Sequence, residues 1–98
     1  MRESIIEKKV CDYAKSKSWL CLKGTIASFA GFPDRMMLRY GQVFFIEFKQ
    51  EGKKATRRQR YVHRILRKHF FKVYVVDNIE HGINIIDEWG EVKDIEAK

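Results

Sequence analysis

Two strand-like segments joined by a two-residue turn constrain the fold of this chain more than any other feature. Residues 35–39 and 42–48 are rich in apolar and aromatic side chains, and Tyr40-Gly41 between them is typical of a tight hairpin turn. The second segment is apolar on both faces until Glu47, as expected of a central strand that is covered on both sides. Helical patterns on either side of the hairpin then predict an α/β fold, with a four-stranded mixed sheet flanked by helices.

Two carboxylates and a lysine meet at one end of the predicted hairpin. With a two-residue loop Arg39 faces Gln42, so Asp34 faces Glu47, and directly opposed Cβ atoms lie roughly 4.5–5.5 Å apart. Lys49 points to the same side of the sheet as Glu47, because side chains alternate along a strand. Two facing carboxylates repel each other unless a cation lies between them.

A hard divalent cation fits this arrangement. Mg²⁺ binds one or two carboxylates and fills its remaining positions with water and substrate phosphate oxygens. Asp34 and Glu47 supply the carboxylates, and the Phe48 carbonyl is a further candidate ligand. Lys49 would orient an attacking water, help its deprotonation or balance charge on the phosphate. The alternative is an ion pair between Lys49 and one of the two acids at a solvated strand end.

The order of these motifs resembles a known nuclease family. Gly31-Phe32-Pro33-Asp34 followed by Glu47-Phe48-Lys49 is similar to the active-site pattern of the PD-(D/E)xK nucleases, and most of all to the small VRR-NUC (virus-type replication–repair nuclease) domains. An N-terminal helix with Glu7 and a basic helix that opens with Gln59 extend the resemblance to about residues 3–88. It implies a restriction-endonuclease-like core and a single domain over residues 1–98.

The resemblance also implies roles for these residues. Asp34 and Glu47 would bind Mg²⁺ or Mn²⁺, and Lys49 would be the catalytic lysine. The implied reaction is the hydrolysis of DNA by in-line attack of a metal-activated water, which leaves 5′-phosphate and 3′-hydroxyl ends.

Two helix residues complete the implied site. Glu7 would reach the metal directly or through water, and Glu3, four residues earlier on the same helical face, is its competitor. Gln59 would support the site, although three residues after Thr56 it also fits a helix capping box. The chain departs from the family in one respect, because the residues between Glu51 and Gln59 include no proline, which the family often has there.

The distribution of charge favours a nucleic-acid partner. The net charge is +7, and residues 53–72 contain nine lysines and arginines but no acid, whereas residues 77–96 contain seven acids and one lysine. Cations at three- and four-residue spacing predict one basic stripe on a helix, suited to phosphate binding without base readout. A merely solvated helix face is the alternative. The residues expected to bind DNA are Lys53, Lys54, Arg57, Arg58, Arg60, Arg64, Arg67 and Lys68.

The remaining helix residues and aromatics are assigned by periodicity. We expect His63 as a further candidate for the cationic face, and an apolar stripe opposite it. The members of that stripe are Tyr61, Val62, Ile65, Leu66 and Phe70. Trp19, Trp89 and Phe29 are candidates either for an exposed dimer patch or for the core.

Several other functions lack their sequence signals. Cys11 and Cys21 lie ten residues apart without zinc-ligand spacing, and we expect them to be reduced and buried. The sequence contains no glycine-rich phosphate loop, so we expect no small-molecule cofactor. No run is long enough for a membrane span, and the charged N-terminus is not typical of a signal peptide. We therefore expect a cytoplasmic protein of a bacterial or phage-infected cell.

Small VRR-NUC proteins resemble Holliday-junction resolvases, which implies a homodimer that acts on four-way DNA junctions. Two alternatives remain open at this point. One is a nuclease with the same site that cuts flaps, nicks or other DNA. The other is a non-catalytic DNA-binding module, in which the acids and Lys49 form only ion pairs.

Overall fold

The computed structural model describes residues 1–90, and in this part of the chain three helices cover one four-stranded sheet. The strand order is β1-β2-β3-β4; the first three strands are antiparallel, and β4 runs parallel to β3. This confirms the predicted α/β fold with a mixed sheet. Residues 91–98, including the end of the predicted acidic segment, lie outside the described residues. The elements are α1 (Glu3–Ser16), β1 (Leu20–Lys23), β2 (Arg35–Arg39), β3 (Gln42–Phe48), α2 (Arg57–Lys68), β4 (Lys72–Val76) and α3 (Ile79–Glu88).

The hairpin forms with the predicted register. Tyr40 and Gly41 both have positive φ angles, of 44° and 83°, as a two-residue type I′ turn requires. Arg39 pairs with Gln42 and Arg35 with Ile46. Continued by one residue, this register brings Asp34 opposite Glu47.

Strand β3 separates two layers with different roles. Phe44, Ile46 and Phe48 belong to the main core, together with apolar residues of α1 and α3. Side chains alternate along a strand, so Phe45 and Glu47 point to the opposite face, where α2 packs. Phe45 there makes edge-to-face contact with Phe32 of the β1–β2 loop.

The tryptophans belong to the core rather than to an exposed patch. Trp19 is buried and lies edge-on to Phe44 with ring centroids 4.8 Å apart, while Trp89 stacks on Phe44 at 5.0 Å. The Arg39 guanidinium covers the Trp19 ring at 4.1 Å. Phe29 is half-buried against Phe32.

The predicted apolar stripe of α2 is wrong at its two aromatic positions. The helix ends at Lys68, so Phe70 lies beyond it and is 94% exposed, and Tyr61 is 46% exposed. Cys11 is buried and Cys21 half-buried, and both are free thiols. Within residues 1–90, no helix combines the length and the hydropathy that a membrane crossing needs.

Candidate active site

The two predicted carboxylates meet at the end of the hairpin, under the first turn of α2. Asp34 precedes β2, and its Oδ2 accepts a hydrogen bond from the Phe48 N–H at 2.8 Å. Glu47 is only 2% exposed, and its Oε2 accepts a hydrogen bond from Gln59 Nε2 at 2.9 Å. Glu47 Oε1 has no hydrogen-bond partner among the described residues.

Close approach of the β1–β2 loop to α2 positions Asp34. Gly31 has a φ angle of 89°, and a Cβ there would lie 2.9 Å from the Arg58 side chain, so the loop needs glycine at this point. The Arg58 Nε in turn donates a hydrogen bond to the Ala30 carbonyl at 2.9 Å. At the other end of the loop, the Gly24 N–H donates to the Asp34 carbonyl at 2.8 Å.

The electrostatics of the pair favour a bound cation. Burial and, after it, the Glu47 charge raise the pKa of Asp34 to about 7, against the Phe48 N–H, which lowers it. Burial also raises the pKa of Glu47, while its hydrogen bond with Asp34 and the charge of half-buried Lys49 lower it. Without a cation the two carboxyl groups therefore share a proton that resides on Asp34.

The donor set suits a hard divalent metal. A buried carboxylate oxygen without a partner, beside a second carboxylate, is a site that Mg²⁺ or Mn²⁺ would satisfy. The N–H and C=O of a strand residue point to the same side, so the Phe48 carbonyl faces Asp34, as its N–H does. No group of three His, Cys, Asp or Glu residues in the described chain could hold a metal. A cation here would consequently keep water and substrate oxygens among its ligands.

The two acids of α1 lie on the rim of this site. Glu7 Oε2 accepts a hydrogen bond from Arg35 Nε at 2.7 Å, in a partly buried ion pair. The Glu7 charge still raises the pKa of both Asp34 and Glu47. Burial raises the pKa of Glu3, as does the nearby Asp34 charge. Both acids thus contribute negative potential, and the metal-ligand role of Glu7 stays a prediction.

Gln59 combines the two roles that the sequence offered as alternatives. Its backbone N–H donates to Thr56 Oγ1 at 3.1 Å, and its Oε1 accepts from the Thr56 N–H at 2.8 Å, which forms a capping box. The Nε2 of the same side chain donates to Glu47. The cap therefore fixes the amide that orients the carboxylate.

His63 is a residue of the site that the sequence analysis assigned wrongly. It is 1% exposed, not on the cationic face, and its Nε2 lies 3.8 Å from Glu47 Oε1. Burial and, after it, the charges of Arg67 and Lys49 lower the pKa of His63 to about 4. The spacing from Gln59 was the available signal, because residues four apart share one face of a helix.

The predicted basic surface divides into structural and exposed cations. Arg60 donates to the Ala55 carbonyl at 2.6 Å and Arg67 to the Val73 carbonyl at 2.7 Å. In the described chain no hydrogen bond or ion pair engages Arg57, Arg64 or Lys68, all of which are exposed. Lys53 and Lys54 are exposed in the loop that leads from β3 to α2.

A cavity of about 380 Å³ opens beside the carboxylates, between α1 and the β1–β2 loop. Asp34 and Glu7 form its acidic wall, and Lys23 and Phe29 are among its other lining residues. The cavity therefore gives access to Asp34, one carboxylate of the pair.

Comparison with solved structures identifies this architecture. A structure titled "VRR_NUC domain" matches with a TM-score of 0.81 and 25% sequence identity, over 89% of this chain and 96% of that chain. The chain has the fold of a VRR-NUC domain. A second structure, titled "VRR_NUC domain protein", matches the VRR-NUC fold of this chain with a TM-score of 0.74 and 20% identity, over 95% of this chain and 93% of the other. Neither a protein-family model nor a curated protein matches the sequence. The resemblance read from the residues is thereby confirmed.

Proposed function

We propose that this VRR-NUC domain is a metal-dependent nuclease of the PD-(D/E)xK type that hydrolyses phosphodiester bonds in DNA. The observation that carries the proposal is the buried Asp34–Glu47 pair with its unpartnered Glu47 oxygen. Such a pair is unfavourable in a protein that never binds a cation, because the two carboxylates repel each other and one buried Glu47 oxygen has no hydrogen-bond partner among the described residues. Beside a strand-end lysine and a basic helix, it is the arrangement that phosphodiester hydrolysis needs.

The residues of the site divide the chemistry among them. Asp34 and Glu47 would hold Mg²⁺ or Mn²⁺, which supplies Lewis-acid activation of water and phosphate when bound. Gln59 keeps the Glu47 carboxylate in one orientation. Lys49 stabilises the negative charge that develops on the phosphate. Glu7 would act through water at the edge of the site.

The substrate proposed is branched DNA, with four-way junctions favoured. The exposed cations of α2 suit phosphate contacts, which position DNA without reading its sequence. Selectivity would then arise from DNA shape. A homodimer would place two such sites in the two-fold arrangement that paired cuts in a junction require.

The test is cleavage of a synthetic four-way junction, with linear duplex and flap DNA beside it, in Mg²⁺, Mn²⁺ or EDTA. We expect metal-dependent, paired nicks that Asp34→Asn abolishes. Asp12→Asn is the matched control, since this exposed acid pairs only with Lys8 on the surface of α1. It should cleave like the unchanged protein.

Other results would redirect or refute the proposal. Cleavage of flaps or linear DNA alone would retain the nuclease and remove the junction preference. Tight DNA binding without cleavage in either metal would refute the nuclease and leave the DNA-binding module. A sedimentation measurement on the protein with and without junction DNA tests the homodimer.

A further inference from the structure

Phe70 occupies a backbone position that favours glycine. It follows the last residues of α2 with a φ angle of 68°. The Phe70 N–H donates to the Arg67 carbonyl at 2.9 Å and the Phe71 N–H to the Leu66 carbonyl at 3.1 Å. These two bonds form a Schellman motif, in which the left-handed residue is usually glycine because a Cβ is strained there.

The Phe70 side chain does not offset this strain by burial. Its ring is 94% exposed, and it makes no aromatic contact within the described chain. Phe71 differs, because it packs edge-on against Phe45 with ring centroids 5.9 Å apart. A strained residue that buries no surface is unfavourable on both counts, and such residues concentrate at functional sites.

The surroundings of Phe70 indicate what its ring would contact. Residues 53–76 contain no acid, and Lys68, His69 and Lys72 are all exposed beside the ring. Exposed aromatic rings among cations suit single-stranded or unstacked nucleic acid, where bases stack on the ring and phosphates meet the cations. In a two-fold contact, a second copy of this chain would bring the same acid-free face to Phe70, so charge complementarity favours DNA.

We propose that Phe70 is a base-stacking residue, whose ring packs on an unpaired or unstacked base of the DNA while Lys68 and Lys72 contact the flanking phosphates. The proposal rests on DNA being the substrate and adds what the protein recognises in it, namely a disrupted stack. Helix α2 ends at Lys68, roughly 14 Å from Gln59 at 1.5 Å per residue, and Phe70 lies just beyond that end. For a DNA strand that follows the helix axis, this length corresponds to about four base steps. The recognised base would then lie about four to five steps from the cleaved phosphate.

The test separates strain from recognition with one matched control. Ser18 occupies the same Schellman position after α1, on the other face of the sheet, with a φ angle of 74°. Phe70→Gly and Ser18→Gly should each raise the Tm by about 2–5 °C, because both relieve a left-handed strain. Only Phe70→Gly should weaken binding of junction and flap DNA, by about 5- to 100-fold. Phe70→Tyr should bind like the unchanged protein.

Binding is measured by anisotropy in the Asp34→Asn background with metal present, so that the DNA stays intact. Continuous duplex is the reference DNA, and its affinity should change less than about twofold in Phe70→Gly, since an intact stack presents no free base face. A 2-aminopurine probe moved step by step through the junction should show a Phe70-dependent fluorescence change about four to five steps from the cut.

Three results would overturn the inference. The first is normal binding of branched DNA by Phe70→Gly, and the second is an equal loss on duplex. The third is a shift from dimer to monomer in sedimentation with unchanged affinity per protomer, which would make Phe70 a protein contact. Metal-dependent cleavage by the unchanged protein together with any of these would remove this inference alone. A protein that neither binds nor cuts DNA would remove the proposed function as well.

Discussion

The shared proton of the carboxylate pair makes the stability of the metal-free protein depend on pH. The pKa of Asp34 is about 7 in the folded protein and near 3.8 in the unfolded chain. Above pH 3.8 the unfolded state releases this proton while the folded state keeps it. The folded state therefore binds more protons, and stability falls as pH rises towards 7. Asp34→Asn removes this dependence.

The magnitude follows from the shift. Between pH 5 and pH 8 a change of about two pKa units corresponds to roughly 2.7 kcal/mol. Asp34 is only partly buried, and solvent screening reduces the effect to about 1–2 kcal/mol. For a domain of this size that corresponds to a relative change in Tm of roughly 4–12 °C. In EDTA, the Tm of the unchanged protein should therefore fall by roughly 4–12 °C relative to that of Asp34→Asn as pH rises from 5 to 8.

Thermal scans of both proteins at pH 5, 6, 7 and 8, in EDTA and in Mn²⁺, measure the effect. Comparison with Asp34→Asn removes the contribution of the carboxyl groups outside the site, which are the same in both proteins. With metal present, the stability of the unchanged protein should rise with pH instead of falling, because the metal binds the ionised pair and stabilises the folded state more at higher pH. A Tm difference that is constant with pH in EDTA would refute the shared proton, and equal protection of both proteins by Mn²⁺ would refute the metal site.

Four further changes test the other residues. In EDTA, the free energy of unfolding of the unchanged protein should fall by about 2–3 kcal/mol relative to that of His63→Gln as pH falls from 6.5 to 4, measured in thermal scans. The reason is that the histidine is protonated in the unfolded state over this range but stays neutral when buried in the folded state. Lys49→Ala should lower the cleavage rate at least about 100-fold while the Kd for DNA in anisotropy stays within about twofold, and an equal loss of binding would contradict its role. Arg64→Ala should weaken DNA binding and reduce the slope of log K against log salt by about one, without a change in metal affinity. Gln59→Ala and Thr56→Ala should each lose about 1 kcal/mol of stability in denaturant titrations. Only Gln59→Ala should also lower the affinity for Mn²⁺ in metal titrations, and equal Mn²⁺ affinities of the two variants would mean that Gln59 is only a helix cap.

The parts of the site that depend on strand pairing were predictable. A two-residue turn fixes the register, and alternation of side chains then decides which residues face each other. These two rules alone predict that Asp34 lies opposite Glu47. For Gln59, the spacing from Thr56 predicts the capping box, and the family resemblance points to the same residue as part of the site.

The errors fall where tertiary packing decides. His63 was assigned to the cationic face because basic residues surround it, yet the rotation of α2 about its axis is set by packing against the sheet and turns His63 inward. Phe70 was counted in an apolar stripe because no glycine marks the end of α2, although the chain forms a Schellman motif without one. For Trp19 the sequence left surface and core open, and its place in the core depends on a contact with Phe44 that local patterns do not encode.

Helix α2 links the chemistry of the site to the recognition of DNA. Its capped first turn holds Gln59 against Glu47, and its inner face brings His63 to the other oxygen of that carboxylate. Its outer face exposes Arg64 and the other cations that no residue of the described chain engages. A phosphate backbone lying along the outer face would contact the same helix that orients the carboxylate proposed to bind the metal. Because both contacts act on one helix, substrate binding and metal binding should strengthen each other by equal factors, as linkage requires. DNA should therefore raise the affinity of the site for Mn²⁺, and loss of Glu47 orientation in Gln59→Ala should weaken that coupling even where DNA binding itself is retained.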